Sequence, residues 1–304
     1  MSITIMSVFN RINNKLLYLS YCNKKRVFNI KQIHSAIKLN DSKVETESFE
    51  DIPNIKVETE SFQDISNIKF AIIMPTFNRS NGKSISYLNR SLDSIIKQKH
   101  KYWDIILVGD KFEPESLIID LVNSYQSNLN NNKIIYINNT KVERDYIKNK
   151  EILWYYAGAT SVNIGLEYTR NNNYKYYCHL DDDDYWSDTH LLVLAKIYNQ
   201  YPNCIFANTQ STYINSFLPN EKYTLYENNR LPLSGKTIHS SISFRIDILP
   251  FYYTTRFEDI RLEKPSDALL LDEIKKFLEN NKNYSSIYIP VLSCFHDLEG
   301  ELLL

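Results

Sequence analysis

The sequence has few of the features that usually identify a ligand. It contains only six glycines, and neither GxGxxG nor GxxxxGK[ST] occurs, so the common glycine-rich loops that hold phosphates are absent. Its four cysteines are widely spaced and form no CxxC pair. This spacing excludes a cysteine-rich zinc motif and a dense disulfide framework, and it favours a reducing compartment.

The chain also lacks an excess of charge and a long apolar run. Its 35 basic and 36 acidic residues leave a net charge of -1, which gives no reason to expect a nucleic-acid partner. No apolar stretch approaches the ~20 residues of a membrane-spanning helix, and the first residues do not resemble a secretory signal. The 43% of hydrophobic residues still suffice for a sizeable core. We therefore expect a cytoplasmic globular protein without a transmembrane segment.

The abundant residues point to a type of genome rather than to a function. Asn, Ile, Lys and Tyr are frequent, as is typical of proteins from AT-rich genomes such as those of large DNA viruses or parasites. If the source is a large DNA virus, we expect the protein in the host cytoplasm or in the virion.

The N-terminal region has a split charge and a repeat. Residues 1–43 carry eight Lys or Arg and a single acid, Asp41. In residues 43–68, "KVETESFEDIPNI" is followed directly by "KVETESFQDISNI". Two short copies cannot form a solenoid, so we interpret residues 1–68 as a basic arm and an acidic tether, both poorly ordered. The arm is a candidate for peripheral contact with an acidic lipid surface or a partner, although an unstructured extension is the simpler interpretation.

From residue 69 onward, apolar strand patterns alternate with helical patterns. This alternation predicts an α/β fold with a doubly wound, mostly parallel sheet that is flanked by helices. Ligands of such sheets bind at the carboxyl ends of the strands. The predicted strands are "FAIIMP", "WDIILVGD", "NKIIYINN" and "KYYCHL", and the predicted helices are "YLNRSLDSIIKQ", "ESLIIDLVNSYQ" and "SVNIGLEYT".

Four consecutive aspartates follow the last of these strands, in "YYCHLDDDDYWSD". Adjacent carboxylates repel one another, and an acidic run is usually a solvated loop. Here, however, apolar and aromatic residues flank the run on both sides, so the aspartates are expected at the carboxyl end of a buried strand. Clustered carboxylate oxygens suit a hard divalent cation, which would also relieve their repulsion. The pattern therefore predicts a metal site.

Six segments now make the chain resemble the family 2 glycosyltransferases, which are nucleotide-sugar-dependent enzymes of the GT-A fold. The resemblance covers residues 69–296. It implies a GT-A-like domain over 69–304, with a nucleotide-sugar-binding half at 69–190 and an acceptor half at 191–304. The segments, in the order that the family has them, are "AIIMPTFNRS", "SLDSIIKQKHKYWDIILVGD", "ATSVNIGLE", "LDDDDYW" (similar to Leu-Asp-x-Asp-Asp-x-Trp), "IHSSISFRIDIL" and "PSDALLLDEI".

The resemblance implies that the nucleobase is held by the first loop and by the acid after the second strand. Those positions are Thr76, Asn78, Arg79 and Asp110 in this chain, with Asn163 on the Asn-x-Gly helix. The alternative for the first three is an ordinary turn, and for Asp110 a helix N-cap.

Within the acidic run, the resemblance implies Asp183 as the metal ligand. Asp181 or Asp182 would bind the ribose, and Asp181 is a second candidate ligand. Asp184 would brace the loop. His296 follows a predicted strand late in the chain and would return to the metal, which we expect to be Mn²⁺ or Mg²⁺.

The resemblance also implies a catalytic base on the helix "PSDALLLDEI". Asp267 is that base, although the segment reads equally as a helix start. Asp272 is an alternative on the same helix. His239 lies where the family approaches the diphosphate or the acceptor, and a lone histidine is more often structural. Further acids that could replace Asp267 are Glu258, Asp259 and Glu263, and Trp186 is the candidate for stacking against the sugar.

The implied activity is metal-dependent, inverting transfer of a sugar from a nucleotide-diphosphate sugar to an acceptor hydroxyl. A UDP-sugar is the first candidate for the donor. The acceptor is a carbohydrate, a lipid or a protein. One alternative is a nucleotidyltransferase, and another is an inactive nucleotide-sugar-binding scaffold. The scaffold is considered because three positions depart from the family pattern: Gly109 replaces an acid, Val162 replaces an arginine, and Ser266 replaces an acid.

Overall fold

The computed structural model describes residues 65–156, 158–213, 216–219, 234–255 and 264–297. The basic arm, nearly all of the tandem repeat, and the alternative acids Glu258, Asp259 and Glu263 lie outside these ranges. Among the described residues, no helix combines the length and apolar character that crossing a bilayer requires.

A nine-stranded sheet with the strand order β3-β2-β1-β4-β8-β6-β9-β5 forms the centre of the described fold, and β7 pairs with β6. Its strands are β1 (Phe70–Thr76), β2 (Trp103–Asp110), β3 (Ile134–Asn139), β4 (Tyr176–His179), β5 (Tyr185–Trp186), β6 (Cys204–Tyr213), β7 (Ser216–Leu218), β8 (Ile242–Arg245) and β9 (Ser285–Phe295). The helices are α1 (Ser84–Ile96), α2 (Ser116–Gln126), α3 (Lys150–Tyr156), α4 (Ala159–Asn171), α5 (His190–Gln200) and α6 (Ser266–Asn280), and single 3-10 turns lie at Glu143–Asp145 and His239–Ser241.

The predicted fold class, α/β with a mostly parallel sheet and flanking helices, is confirmed. Strands β1 to β4 are parallel to one another. Strand β8 then runs antiparallel to β4 and to β6, while β6 and β9 are again parallel. Every residue of β2 is buried, and in β1 only Pro75 is partly exposed. These strands are continuous hydrophobic runs because elements cover both faces of the sheet.

Helix α4 packs directly on β1 at a glycine. A Cβ atom at Gly165 would lie 2.6 Å from Cγ2 of Ile73, so only the missing side chain lets the helix approach this closely. Val162 and Leu166, on either side of Gly165, are buried in the same core.

The folded unit begins slightly before the predicted boundary at residue 69. Ile68 is 3% exposed, and its carbonyl oxygen lies 2.7 Å from Nε2 of His100. Ile68 therefore belongs to the core rather than to a tether.

The parallel strands bring their carboxyl ends to one edge of the sheet. Thr76 ends β1, Asp110 ends β2, and the aspartate run starts two residues after His179, which ends β4. Because β1 is paired with both β2 and β4, these three chain segments are neighbours in space. The polar groups that the sequence placed after separate strands thus meet at one edge.

Candidate active site

A pocket lies at this edge. Seven of the predicted site residues line it, whereas Asn78, Asn163, His239 and Asp267 do not. The seven are Thr76, Arg79, Asp110, Asp181, Asp182, Asp183 and His296, and the other lining residues are Pro75, Phe77, Glu143, Arg144, Leu153, Trp154 and Gly158.

Arg79 forms a forked ion pair with Asp182. Its Nη1 and Nη2 atoms lie 2.9 and 2.6 Å from the two carboxylate oxygens, and Nη2 also lies 3.1 Å from Oδ2 of Asp183. The Thr76 hydroxyl donates to the same Asp182 carboxylate at 2.6 Å. Burial by itself lowers the pKa of the Arg79 guanidinium, but the Asp182 carboxylate outweighs it and the pKa is raised. In this structure Arg79 therefore contacts the acidic run, whereas the sequence had assigned it to the nucleobase.

The main chain of the aspartate run is held by helix α1. The Ser91 hydroxyl donates to the Asp182 carbonyl at 2.9 Å and also to the carbonyl of Asp184. Arg90 donates to the carbonyl of Asp183. Asp183 itself is 7% exposed, and burial together with the neighbouring Asp182 and Asp184 carboxylates raises its pKa to about 8. Ionisation of Asp183 is therefore unfavourable in this pocket unless a further positive charge is present.

His296 faces Asp184 rather than Asp183. Its Nδ1 atom lies 3.0 and 3.1 Å from the two Asp184 oxygens, and the backbone N–H of Asp297 donates to Asp184 at 2.8 Å. Asp184 is fully buried, and burial raises its pKa, although His296 acts in the opposite direction. Asp184 therefore ties the segment after β9 to the acidic loop, which fits the bracing role predicted for it.

Asp181 contacts a buried group of histidines and tyrosines. Its Oδ1 atom lies 2.9 Å from Nε2 of His179, whose ring stacks on His239 with the centroids 3.5 Å apart. Burial opposes ionisation of Asp181, but the imidazole of His179 outweighs it and lowers the pKa of the carboxyl. The pKa of His239 is well below its usual value because the ring is buried, and His179 lowers it further. His239, predicted to reach the diphosphate or acceptor, instead contacts the Tyr253 hydroxyl and lies outside the pocket lining.

Asp110 lies at the other end of the pocket and is paired with an arginine that the sequence analysis missed. Nη2 of Arg144 lies 3.1 Å from Oδ2 of Asp110, and Ser161 donates to Oδ1 at 2.7 Å. Burial raises the pKa of Asp110, while Arg144 acts against this. Both Arg79 and Arg144 lie over the Phe77 ring, at 4.5 and 4.6 Å from its centroid. Arg144 belongs to the 3-10 turn Glu143–Asp145, in the mostly polar segment after β3, and no sequence motif marked it.

Two predicted nucleotide contacts have other partners. Asn78 is exposed and donates to the carbonyl of Glu113 at 2.7 Å. Asn163 exchanges two hydrogen bonds with the backbone of Tyr253, at 2.7 and 2.8 Å. Asn163 therefore fixes the segment around Tyr253 in place.

Asp267 lies in the first turn of α6. It is partly buried and accepts the backbone N–H of Ala268 at 2.8 Å. Burial raises the pKa of Asp267, and the Ala268 hydrogen bond opposes this. Asp272, the alternative base on this helix, forms an exposed ion pair with Lys264 at 2.5 Å.

Trp186 is not available for stacking against a sugar. It is 3% exposed, its indole N–H donates to the carbonyl of Ser240 at 2.7 Å, and its ring stacks on His190. Two other aromatic side chains, Phe77 and Trp154, do line the pocket, and Trp154 is 42% exposed. The prediction for Trp186 is therefore wrong, because β5 turns this side chain into the interior.

The three departures from the family pattern each have a structural account. At Gly109 a Cβ atom would lie 2.5 Å from Oδ1 of Asn138, so the neighbouring strand fills the space of a side chain. Val162 is 1% exposed and lies in the core. Ser266 donates to the carbonyl of Thr254 at 2.7 Å and anchors the start of α6.

Comparison with known proteins identifies the class. No protein-family model matches the chain. An uncharacterized glycosyltransferase of Acanthamoeba polyphaga mimivirus is 42% identical over 240 residues, which make up 77% of this chain and 95% of the relative. The chain therefore belongs to this family of glycosyltransferases.

Solved structures show the same fold at low sequence identity. S. aureus TarS 1-349 is 15% identical with a TM-score of 0.50, over 77% of this chain and 62% of that one. The same protein in complex with UDP-GlcNAc gives a TM-score of 0.51 at 15% identity, over 75% of this chain and 58% of that one. This chain thus spans about three fifths of the length of these TarS chains, and the likeness is one of fold.

Proposed function

We propose that this glycosyltransferase is metal-dependent and inverting, and that it transfers a sugar from a nucleotide-diphosphate sugar to an acceptor hydroxyl. A UDP-sugar is the first candidate for the donor. The observation that carries the proposal is the buried aspartate run at the carboxyl edge of the sheet, where Asp183 is crowded by neighbouring carboxylates. A donor complexed with a divalent cation would bring the positive charge that this pocket lacks.

The residues that line the pocket have the chemistry for such a donor. Asp183, Asp181 and His296 would hold a Mn²⁺ or Mg²⁺ ion, since carboxylate oxygens suit these cations and imidazole is compatible with Mn²⁺. When bound, the ion would act as a Lewis acid toward the leaving diphosphate. Asp110 and Arg144, beside the Phe77 ring, form the end of the pocket that we assign to the nucleobase.

Asp267 is proposed as the general base. Inverting transfer needs a carboxylate that accepts the proton of the acceptor hydroxyl as its oxygen attacks the anomeric carbon. Partial burial raises the pKa of Asp267 and so makes it a stronger base than an exposed aspartate. Its position in the first turn of α6 also suits a carboxylate that stays charged, because helix N-termini stabilise negative charge.

The proposal is tested by nucleotide binding in the presence of Mn²⁺. Isothermal titration calorimetry should show that Asp183→Ala weakens UDP binding at least about 100-fold. Loss of a residue that only supports a metal ligand lowers metal affinity by up to about 100-fold, so loss of a ligand itself should cost at least as much. Asp188→Ala is the matched control, because Asp188 is an exposed aspartate paired with Lys99 outside the pocket. Equal UDP affinity in wild type and Asp183→Ala would contradict the metal assignment.

Turnover separates an enzyme from a scaffold. We expect the full chain with Mn²⁺ to release UDP from at least one UDP-sugar when a panel of donors and acceptors is screened. Donor binding without UDP release across the panel would favour an inactive sugar-nucleotide-binding protein.

A further inference from the structure

A buried histidine holds the carboxylate of Asp181 from behind. The Asp181 side chain is 34% exposed and lines the pocket assigned to the nucleotide-sugar donor, the donor pocket. The His179 side chain is completely buried, and its Nε2 atom lies 2.9 Å from Oδ1 of Asp181. Burial opposes ionisation of Asp181, but the imidazole of His179 outweighs it and lowers the pKa, so the carboxyl is charged. Because a charged carboxylate only accepts hydrogen bonds, Nε2 of His179 is the donor.

Two tyrosine hydroxyls continue this contact into the core. Nδ1 of His179 lies 2.9 Å from the Tyr177 hydroxyl, which lies 2.9 Å from the Tyr253 hydroxyl. The Tyr253 hydroxyl in turn contacts Nε2 of His239. These four side chains form one hydrogen-bonded row. Every bond in the row is made when each group donates to the next one in the direction of Asp181, because each hydroxyl then donates once and accepts once.

The row is fixed by the elements that carry it. Tyr177 and His179 lie on β4, and both are completely buried. Asn163 of α4 exchanges two hydrogen bonds with the backbone of Tyr253, at 2.7 and 2.8 Å. The His179 ring also stacks on the ring of His239, with the centroids 3.5 Å apart. These contacts hold the His179 imidazole in the orientation that points Nε2 at the carboxylate.

Ser240 holds the other side of Asp181. The backbone N–H of Asp181 donates to Oγ of Ser240 at 3.0 Å, and the Ser240 hydroxyl donates to Oδ2 of Asp181 at 3.3 Å. Each oxygen of the carboxylate therefore has one partner inside the protein. Since each carboxylate oxygen has two lone pairs, Asp181 keeps acceptor capacity for a cation in the donor pocket.

We propose that His179 is a positioning residue of the donor site. Its Nε2–H, held in place by the row behind it, fixes the Asp181 carboxylate in the orientation that binds the divalent cation of the donor. This inference rests on the proposed function. Metal-binding carboxylates are themselves hydrogen-bonded by side chains that do not touch the metal, and loss of such a side chain typically costs about 10- to 100-fold in metal affinity. His239 supports the same row from its far end.

The test is the Mn²⁺ dependence of UDP binding to the full chain, measured by equilibrium dialysis of labelled UDP at a fixed UDP concentration. His179→Leu removes the N–H donor and should raise the Mn²⁺ concentration at half-maximal UDP binding about 10- to 100-fold. His179→Gln keeps an N–H donor of similar reach, so its midpoint should stay closer to that of wild type. A fraction of misfolded protein lowers the amount of UDP bound at saturating Mn²⁺ and leaves this midpoint in place.

His190→Leu is the matched control. His190 is also completely buried, its ring stacks on that of Trp186 with the centroids 4.2 Å apart, and it does not line the donor pocket. Its loss should leave the Mn²⁺ midpoint unchanged. A His179→Leu midpoint equal to that of wild type, or an equal shift in His190→Leu, would overturn the positioning role and leave the proposed function standing. Wild-type UDP binding that does not depend on Mn²⁺ would contradict both.

NMR of the wild-type chain in EDTA decides the question if His179→Leu does not fold. Long-range proton–nitrogen correlation spectra show which imidazole nitrogen carries the proton. With the His179 ring assigned through its backbone signals, we expect a proton on Nε2. An Nε2 atom without a proton could donate nothing to Asp181 and would overturn the positioning role.

Discussion

Arg79 is the buried cation that faces the aspartate run, and its forked contact with Asp182 leaves Asp183 only partly neutralised. Ionisation of Asp183 is therefore unfavourable in this pocket, and its pKa rises to about 8. Strongly shifted pKa values are frequent at functional sites, where groups are arranged for a ligand rather than for stability. At the residue scale this pKa shift makes a prediction about pH.

Without divalent ions, Asp183 should make the protein less stable as the pH rises. In the folded chain its pKa is about 8, against an ordinary value of 3.8, so between these values the folded state binds a proton that the unfolded state has lost. The stabilising contribution is therefore complete below about pH 4 and is lost as the pH rises through about 8. In EDTA at pH 8, we expect Asp183→Asn to melt at least about 2 °C above wild type, the shift that about 1 kcal/mol gives in a domain of this size.

The comparison must be made across the pH range. Thermal unfolding of both proteins from pH 5 to 8.5 should give curves that diverge as the pH rises. Parallel curves would show that Asp183 is not held protonated. Added Mn²⁺ should reverse the order at pH 8, because the ion binds only the wild-type carboxylate.

A second residue-scale prediction concerns Asp267. Asp267→Asn keeps the shape of the side chain and removes its basicity, so transfer should fall by roughly 10²- to 10⁴-fold. UDP affinity should not change, because Asp267 does not line the donor pocket. Asp272→Asn on the same helix is the control, since Asp272 forms an exposed pair with Lys264. If Asp267→Asn is as active as wild type, Asp267 is only part of the helix start.

At the scale of elements, the site depends on how closely α4 lies against β1. That contact sets where Thr76 emerges at the end of β1, and where the N-terminus of α4 presents Ser161 to Asp110. The contact is made at Gly165, where the Ile73 side chain occupies the space of a Cβ atom.

Gly165→Ala should therefore destabilise the fold. Overpacking a filled core costs about 1–3 kcal/mol, and the better helix propensity of alanine returns at most about 1 kcal/mol of it. Chemical denaturation should show a lower midpoint than wild type. Glu167→Ala, an exposed position on the same helix, is the matched control and should be neutral or slightly stabilising. A Gly165→Ala protein as stable as Glu167→Ala would mean that α4 moves away from β1 at little cost.

At the scale of the whole molecule, the question is where the folded unit begins. The chain divides into two units, residues 1–61 and 62–304, and Ile68 of the second unit is in the core. The carbonyl of Ile68 also contacts His100, and Lys69 forms an ion pair with the buried Asp104 at 2.6 Å. The first residues of the unit are thus held by both packing and charge.

Two truncated chains test this boundary. A protein that starts at Phe62 should fold and bind UDP with Mn²⁺ as the full chain does. A protein that starts at Lys69 should be less stable by roughly 1.5–3 kcal/mol, the usual contribution of a buried isoleucine side chain. Urea denaturation of both proteins measures the difference. Equal stability would place Ile68 outside the cooperative core, whereas an insoluble Phe62 protein would show that the folded unit needs residues before 62.

The sequence by itself determined the alternation of strands β1 to β4 with helices α1, α2 and α4, the position of the aspartates after β4, and the placement of Thr76 and Asp110 at strand ends. These features follow from local periodicity, because burial on both faces requires continuous apolar strands and the polar residues then fall where the strands stop. Only the tertiary structure decided which groups are partners. Arg79 reaches Asp182 across 103 positions of the chain, and His296 reaches Asp184 across 112.

Tertiary structure likewise decided which aromatic and basic side chains face the pocket. Trp186 and Trp154 both lie in aromatic stretches of the sequence. The side chain of Trp186, on β5, is nevertheless buried, whereas Trp154 lines the pocket. Arg144 pairs with Asp110, and His179 stacks on His239, although no motif links either pair. Such side-chain partners depend on how distant elements pack. Ion pairs and ring contacts form between atoms a few ångströms apart, so residues that are far apart in the sequence leave no local pattern that predicts their pairing.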